Sequence, residues 1–219
     1  MVDWIARNGS QGRGNDVYAL AVLFTAHTGV RASELQGLQV QDVTLSDIPG
    51  TVGSIRIART AKRKGRQWIY GTPKSEASSD RVVPLAPWLA GELRDHLTNV
   101  HPFSATNTQG MKYIAHAPLF PGRRNRYTFD WAKPVHAGSL HEHYFAQACR
   151  ECGLGSVRFH DLRHTFATMN LSAGEHYMQV SKWLGHSTFV LTLTTYADYI
   201  NEEDLGGCPE FRGTSVAVR

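Results

Sequence analysis

Single glycines cut the second half of the chain into short helical runs, and this punctuation constrains the fold more than any other feature. Residues 139–152 read as a helix that stops at Gly153, 159–171 as one that stops near Gly174, and 175–184 as one that stops at Gly185. A weaker helix follows over 189–200, where Val190, Thr192, Thr194 and Thr195 are β-branched. Upstream, 16–27 reads as a buried helix carrying Val17, Leu20, Ala21, Leu23 and Phe24, broken by Thr28-Gly29. A short helix should start near Ala32-Ser33, with Ser33 as its cap, and carry Glu34, Leu35 and Leu38.

The middle of the chain has a different period. Residues 52–59, 67–70 and 81–85 are strand-like and are expected to form one small three-stranded antiparallel sheet, with 71–80 as the turn before the third strand. Residues 85–100 read as a helix with Pro87 in its first turn. Pro102, Gly110, Pro118, Pro121, Gly122 and Pro134 make 101–138 irregular. Helices, a small sheet, then helices give an α+β class that is mainly α.

A length of 219 residues suits one substantial core, and 42% hydrophobic against 19% charged residues excludes a disordered chain. No apolar run approaches membrane-spanning length, and residues 1–8 contain no apolar signal core. Three cysteines, Cys149, Cys152 and Cys208, give no disulfide framework and point to a reducing, cytoplasmic setting. The formal net charge of +4 permits a polyanionic partner. Its distribution says more: Arg56, Arg59, Lys62, Arg63, Lys64 and Arg66 fall within eleven residues, and Arg123, Arg124 and Arg126 form a second cluster. Standing alone, such runs are solvated loops.

Several residues have chemistry suited to a phosphodiester. Arg31 follows a Thr-Gly-Val turn, with Glu34 three residues on as an orienting carboxylate; alone, the two make an ordinary surface ion pair. In Phe159-His160-Asp161-Leu162-Arg163-His164-Thr165-Phe166, His160 and Arg163 share a helix face. The arginine can fork onto two phosphate oxygens, and a neutral histidine can exchange a proton near pH 7. HxxR alone is better read as the polar face of an amphipathic helix. His186 follows Gly185 at a helix junction, where it can bond an anion or merely cap a helix end. Tyr196 lies ten residues beyond it, with Tyr199 as a rival one turn later. A tyrosine hydroxyl can act as a covalent nucleophile when its neighbours stabilise the phenolate. Lys74 sits in the turn Thr72-Pro73-Lys74-Ser75, from which it can reach a cleft as a proton donor.

In order, Arg31, Lys74, His160, Arg163, His186 and Tyr196 resemble the active-site set of the tyrosine recombinase, or phage integrase, family. The stretches that carry the resemblance are TGVRASELQGL, TPKSEASSDRVVPL, FHDLRHTFAT, WLGHS and TLTTYADY, spread from Asp16 to about Ile200. Many family members place the tyrosine one residue nearer the LGH histidine; the longer spacing is similar to integrases of actinobacterial phage type.

The resemblance implies a helical catalytic domain over 1–200 with a small three-stranded antiparallel sheet. It implies site-specific DNA recombination through a 3′-phosphotyrosyl bond on Tyr196, with no cofactor, ATP or metal. Arg31 and Arg163 would clamp the phosphate oxygens, His186 would add a hydrogen bond, Lys74 would protonate the leaving 5′-oxygen, His160 would help deprotonate Tyr196, and Glu34 would brace Arg31. In that setting the basic run 56–66 and Arg123 with Arg124 become contacts to the DNA backbone. Expected partners are double-stranded attachment sites, three further copies in a tetramer on DNA (with a monomer when free), and an accessory directionality factor. The expected location is the nucleoid of a bacterial host. Residues 201–219 would form a tail that docks on a neighbouring protomer through Leu205 and Phe211. Family members carry an N-terminal core-binding domain, so a chain starting here reads as a fragment.

Three rival readings stand beside this one. Cys149-x-x-Cys152 with His160-x3-His164 imitates a zinc finger, but seven residues separate the pairs where a finger needs about twelve. An inactive DNA-binding remnant would be expected to lack part of the set. A type IB topoisomerase shares the tyrosine chemistry and would relax supercoiled DNA without a target site.

Overall fold

A computed structural model describes residues 1–8, 15–46, 48, 51–73, 78–125 and 127–200. Helix α1 (Val2–Arg7) packs against α2 (Asp16–Thr28), the apolar helix expected from the sequence. Apolar residues run round most of α2, as suits a helix covered on several sides, and Val17, Ala21, Val22 and Phe24 are buried. Asn15 caps it, the side chain accepting the Tyr18 N–H at 2.9 Å. It also packs against α7 (Asp161–Ser172).

The three-stranded antiparallel sheet is present, with one member exchanged. Its order is β1 (Val43–Thr44), β2 (Gly53–Ile57), β5 (Arg81–Leu85), with Val43 and Val83 both opposite Ile55. Residues 67–70, expected in this sheet, instead lie in β4 (Gln67–Gly71), paired with β3 (Thr60–Lys64) as a separate hairpin. A strand that can turn back on its neighbour through two residues closes a far smaller loop than one that must find a distant edge. At two residues, β1 is too short to show an alternation. Ile55, Ile57, Val83 and Leu85 point into the core while Arg56 and Val82 face out.

Helix α4 (Pro87–Asp95) starts on Pro87 and continues as a wide π turn over His96–Val100. The stretch expected to be irregular holds a bulged hairpin, β6 (Pro121–Arg123) with β7 (Phe129–Pro134). Helices α5 (Ala137–Leu140) and α6 (Ala146–Glu151) run on through a π turn at His141–Phe145. Then come α7, α8 (Tyr177–Leu184) and α9 (Phe189–Tyr196), closed by a 3-10 turn at Ala197–Tyr199. Helix α8 starts two residues later than expected, where the His176 side chain caps it. No helix among the described residues is long and apolar enough to cross a membrane.

Candidate active site

Two glycines shape the corner where α2, α7 and α8 meet. Gly29 ends α2 and Gly185 ends α8, both left-handed at φ 63° and 64°. A Cβ on Gly29 would sit 2.5 Å from the Phe166 ring, and one on Gly185 would sit 2.9 Å from Ser78 Cα. Arg163 donates from Nη1 to the Gly29 carbonyl at 2.7 Å and from Nη2 to the Leu184 carbonyl at 2.5 Å. Arg31 donates from Nη2 to the Gly185 carbonyl at 3.3 Å. The two arginines, far apart in sequence, are thus tied to one helix junction. Arg163 is buried and Arg31 about a third exposed. Burial first, and then the charge of Arg31, lower the Arg163 guanidinium to about 9, which leaves it protonated at neutral pH.

Glu34 stands behind Arg31. Arg31, not Ser33, is the N-cap of α3 (Ala32–Leu35), because Glu34 in the first turn accepts the Arg31 backbone N–H at 2.7 Å and so fixes the helix start. The same carboxylate accepts Arg31 Nη1 at 2.9 Å and both terminal nitrogens of Arg81. Burial alone would raise the Glu34 carboxyl, but the hydrogen bonds and charge of Arg81, with Arg31, hold it below the ordinary carboxylate range. Arg81 also donates from Nε to the Trp183 carbonyl at 2.7 Å, and Ser78 Oγ donates to the Gly185 carbonyl at 2.7 Å. Sequence reasoning missed Arg81. The available signal was an arginine in register with the buried Val83 and Leu85 of β5, a charge on a core face that demands a partner.

His186 follows the junction, with Nδ1 2.8 Å from Thr192 Oγ1. Burial, then the charges of Arg163, Arg31 and Arg81, hold its imidazole down at about 4, so it is neutral near pH 7. Tyr196 ends α9 with 5% exposure, whereas its rival Tyr199 is 47% exposed. Burial raises the Tyr196 phenol against the opposing pull of Arg163. Its hydroxyl lies 2.8 Å from Nδ1 of His164, a residue weighed from the sequence only as a zinc ligand. His160 is the N-cap of α7, and its ring stands perpendicular to that of His164 with centroids 5.2 Å apart. Burial, then the charges of His164 and Arg163, lower its imidazole.

Lys74 lies outside the described residues, as do Arg126, Leu205, Cys208 and Phe211. The described strands on either side of Lys74, β4 and β5, belong to different sheets. Lys62, Arg63, Lys64 and Arg66 are exposed along the β3–β4 hairpin, as are Arg123 and Arg124 on the β6–β7 hairpin. Arg56 pairs with Asp80 on the surface. Arg59 turns inward onto buried Asp42 at 2.5 Å. The zinc-like residues do not converge: Cys149 is buried with Sγ against Met1 Sδ, Cys152 is exposed, and His164 is at Tyr196. Among the described residues no group of three or more His, Cys, Asp or Glu is placed to hold a metal.

A pair of fixed guanidiniums, a neutral imidazole and a phenol bonded to a second imidazole form a set suited to an oxyanion and a proton transfer. Residues 13–203 match the model of the Phage integrase family. A protein named as the prophage phiRv2 integrase of Mycobacterium tuberculosis is 30% identical over 175 residues, 79% of this chain and 40% of the relative. The integrase of Mycobacterium phage D29 is 29% identical, over 78% of this chain and 40% of its own. The chain therefore spans about two fifths of the length of these curated relatives. A Tn1549 transposon integrase, solved in complex with transposon right end DNA, has the same fold with a TM-score of 0.64 at 19% identity, covering 89% of this chain and 57% of that one.

Proposed function

The chain belongs to the phage integrase family, and from that membership we propose that residues 1–200 are the catalytic domain of a site-specific DNA recombinase. Tyr196 attacks the scissile phosphorus, a 3′-phosphotyrosyl bond forms, and the bond to the 5′-oxygen breaks. Lys74 protonates that oxygen as it leaves. Arg31 and Arg163 hold the non-bridging oxygens as negative charge builds, and His186 donates a further hydrogen bond to them. Glu34 keeps Arg31 in place, and His160 assists the deprotonation of Tyr196. The phosphotyrosyl bond retains the free energy of the phosphodiester, so a 5′-hydroxyl from another duplex can reverse the step and exchange strands.

The observation that supports this reading most is the junction at Leu184-Gly185. Arg31 and Arg163 both donate to it, His186 follows it, and the Arg163 charge bears on the Tyr196 phenol. Arg163 keeps five N–H donors in one plane, and its two carbonyl bonds fix that plane before any phosphate arrives. The substrate is double-stranded DNA, whose backbone meets Lys62, Arg63, Lys64 and Arg66 on the β3–β4 hairpin, and Arg123 and Arg124 beyond it. Four copies assemble on DNA from free monomers, with 201–219 docked between neighbours and a directionality factor selecting integration or excision. The setting is the nucleoid of a bacterial host.

The test is covalent capture. The protein is incubated in EDTA with a pool of nicked duplexes of randomised core sequence, and denaturing gels report any protein–DNA adduct. The parent and Tyr199→Phe are expected to form it and Tyr196→Phe to lose it. A pool that yields no adduct with any of the three contradicts the reading.

A further inference from the structure

We propose that His164 is the group that takes the proton from Tyr196. The inference rests on the recombinase reading above and deepens it by assigning the base. His164 Nδ1 lies 2.8 Å from the Tyr196 hydroxyl, inside the range for direct proton transfer. The two rings sit 5.7 Å apart at 57°, with His164 on α7 and Tyr196 at the end of α9. Helix α7 is itself pinned by the Arg163 bonds to Gly29 and Leu184, one residue before His164. The acceptor is thus built on a rigid element.

Among the described hydrogen bonds, the Tyr196 hydroxyl pairs with His164 and with neither of the other histidines of the site. His186 Nδ1 is paired with Thr192 Oγ1. His160 meets the edge of the His164 ring, and the described hydrogen bonds put His164 at the hydroxyl. The need for a base is large. An ordinary phenol near pKa 10 is ionised to only about one part in a thousand at pH 7, and burial raises this one further. The groups facing His164 are His160, Asp161 and Arg163 from α7, His186 from the α8–α9 junction and Tyr196 from α9. Asp161 is the one anion among them, and its carboxylate is paired with Arg158, with His164 the smallest of the influences on it.

In the forward step the proton passes from Tyr196 Oη to His164 Nδ1 as the Oη–P bond forms, while the 5′-oxygen leaves with a proton from Lys74. In the reverse step the imidazolium returns its proton to Oη as Oη–P breaks. His160 acts through His164 and is a positioning residue.

The experiment uses a duplex captured in the adduct selection and a copy with sulfur in place of the bridging 5′-oxygen of the scissile phosphate. A thiolate leaves without protonation, so sulfur removes the need for an acid and leaves the need for a base. His164→Asn is the informative variant, because its amide keeps a hydrogen bond near the Nδ1 position and cannot take up a proton. It is expected to slow single-turnover adduct formation about 100-fold or more on both duplexes, and to lose the acidic limb of the pH–rate profile. Lys74→Ala should be slow on oxygen and restored on sulfur. His164→Gly should be rescued by imidazole in the buffer, an outcome that a purely structural role would not give. If His164→Asn matches the parent in rate and pH profile while His160→Asn is slow, the assignment to His164 is overturned and the recombinase reading stands. If the selection itself yields no adduct with the parent, the recombinase reading fails and this assignment with it.

Discussion

Arg81 grips both oxygens of Glu34, with Nη1 3.0 Å from Oε1 and Nη2 2.8 Å from Oε2, and both side chains are buried. Arg31 uses the same carboxylate, so a buried ion pair sets the position of an arginine that reaches the surface. Removing Glu34 strands the buried Arg81 charge and removing Arg81 leaves Glu34 with Arg31 alone; a fully stranded buried charge costs about 3–5 kcal/mol. Arg81→Met and Glu34→Gln are each expected to lower the unfolding free energy by about 3 kcal/mol, and the double variant by less than the sum. Urea denaturation of the four proteins checks this; strict additivity would contradict it.

Gly185 is required twice over, by its positive φ and by the approach of Ser78. Gly185→Ala places a methyl group 2.9 Å from a backbone carbon that cannot rotate away. The left-handed strain alone costs about 1–2 kcal/mol, so a loss above about 2 kcal/mol is expected, with slower adduct formation as the carbonyl under Arg31 shifts. Denaturant melts and single-turnover rates measure both.

His96 gives the fold a pH dependence. Its ring lies between His101, Phe120 and Trp131, 3.1 Å from the Leu119 carbonyl, and burial holds its imidazole at about 4 from an ordinary 6.5. The folded state stays neutral where the unfolded chain takes a proton, so this stability is present above pH 6.5 and lost as pH falls toward 4. At 1.36 kcal/mol per unit the loss reaches about 3 kcal/mol. Urea melts between pH 7 and 4.5 should show it, and His96→Gln should flatten that part of the curve.

The basic residues divide into two kinds. Lys62→Ala, Lys64→Ala and Arg66→Ala, on exposed side chains, are expected to leave stability unchanged and to reduce the salt dependence of DNA binding by about one per phosphate contact removed. Arg59→Ala should do the reverse, because it abandons buried Asp42. Binding titrations across salt, beside denaturant melts, separate the two.

The elements with strong local signals were legible: the α2 and α7 helices, the Gly185 stop, and the alternation of 53–57 and 81–85. Partnership across the chain was not. The pairing of 67–71 with 60–64 follows from a two-residue turn that alternation alone cannot choose over a distant edge. Ser33 looked like the cap because its hydroxyl suits that place, whereas the Glu34 carboxylate moved the start to Arg31. Arg81 and His164 lie 47 residues from Glu34 and 32 from Tyr196, separations at which sequence spacing carries no geometry.

The most direct measurement is the site of DNA attachment. The captured adduct is digested with trypsin and nuclease, and the modified peptide is fragmented in a mass spectrometer. The account predicts a nucleotide joined through phosphate to Tyr196. Attachment at Tyr199, or at any other residue, would contradict it.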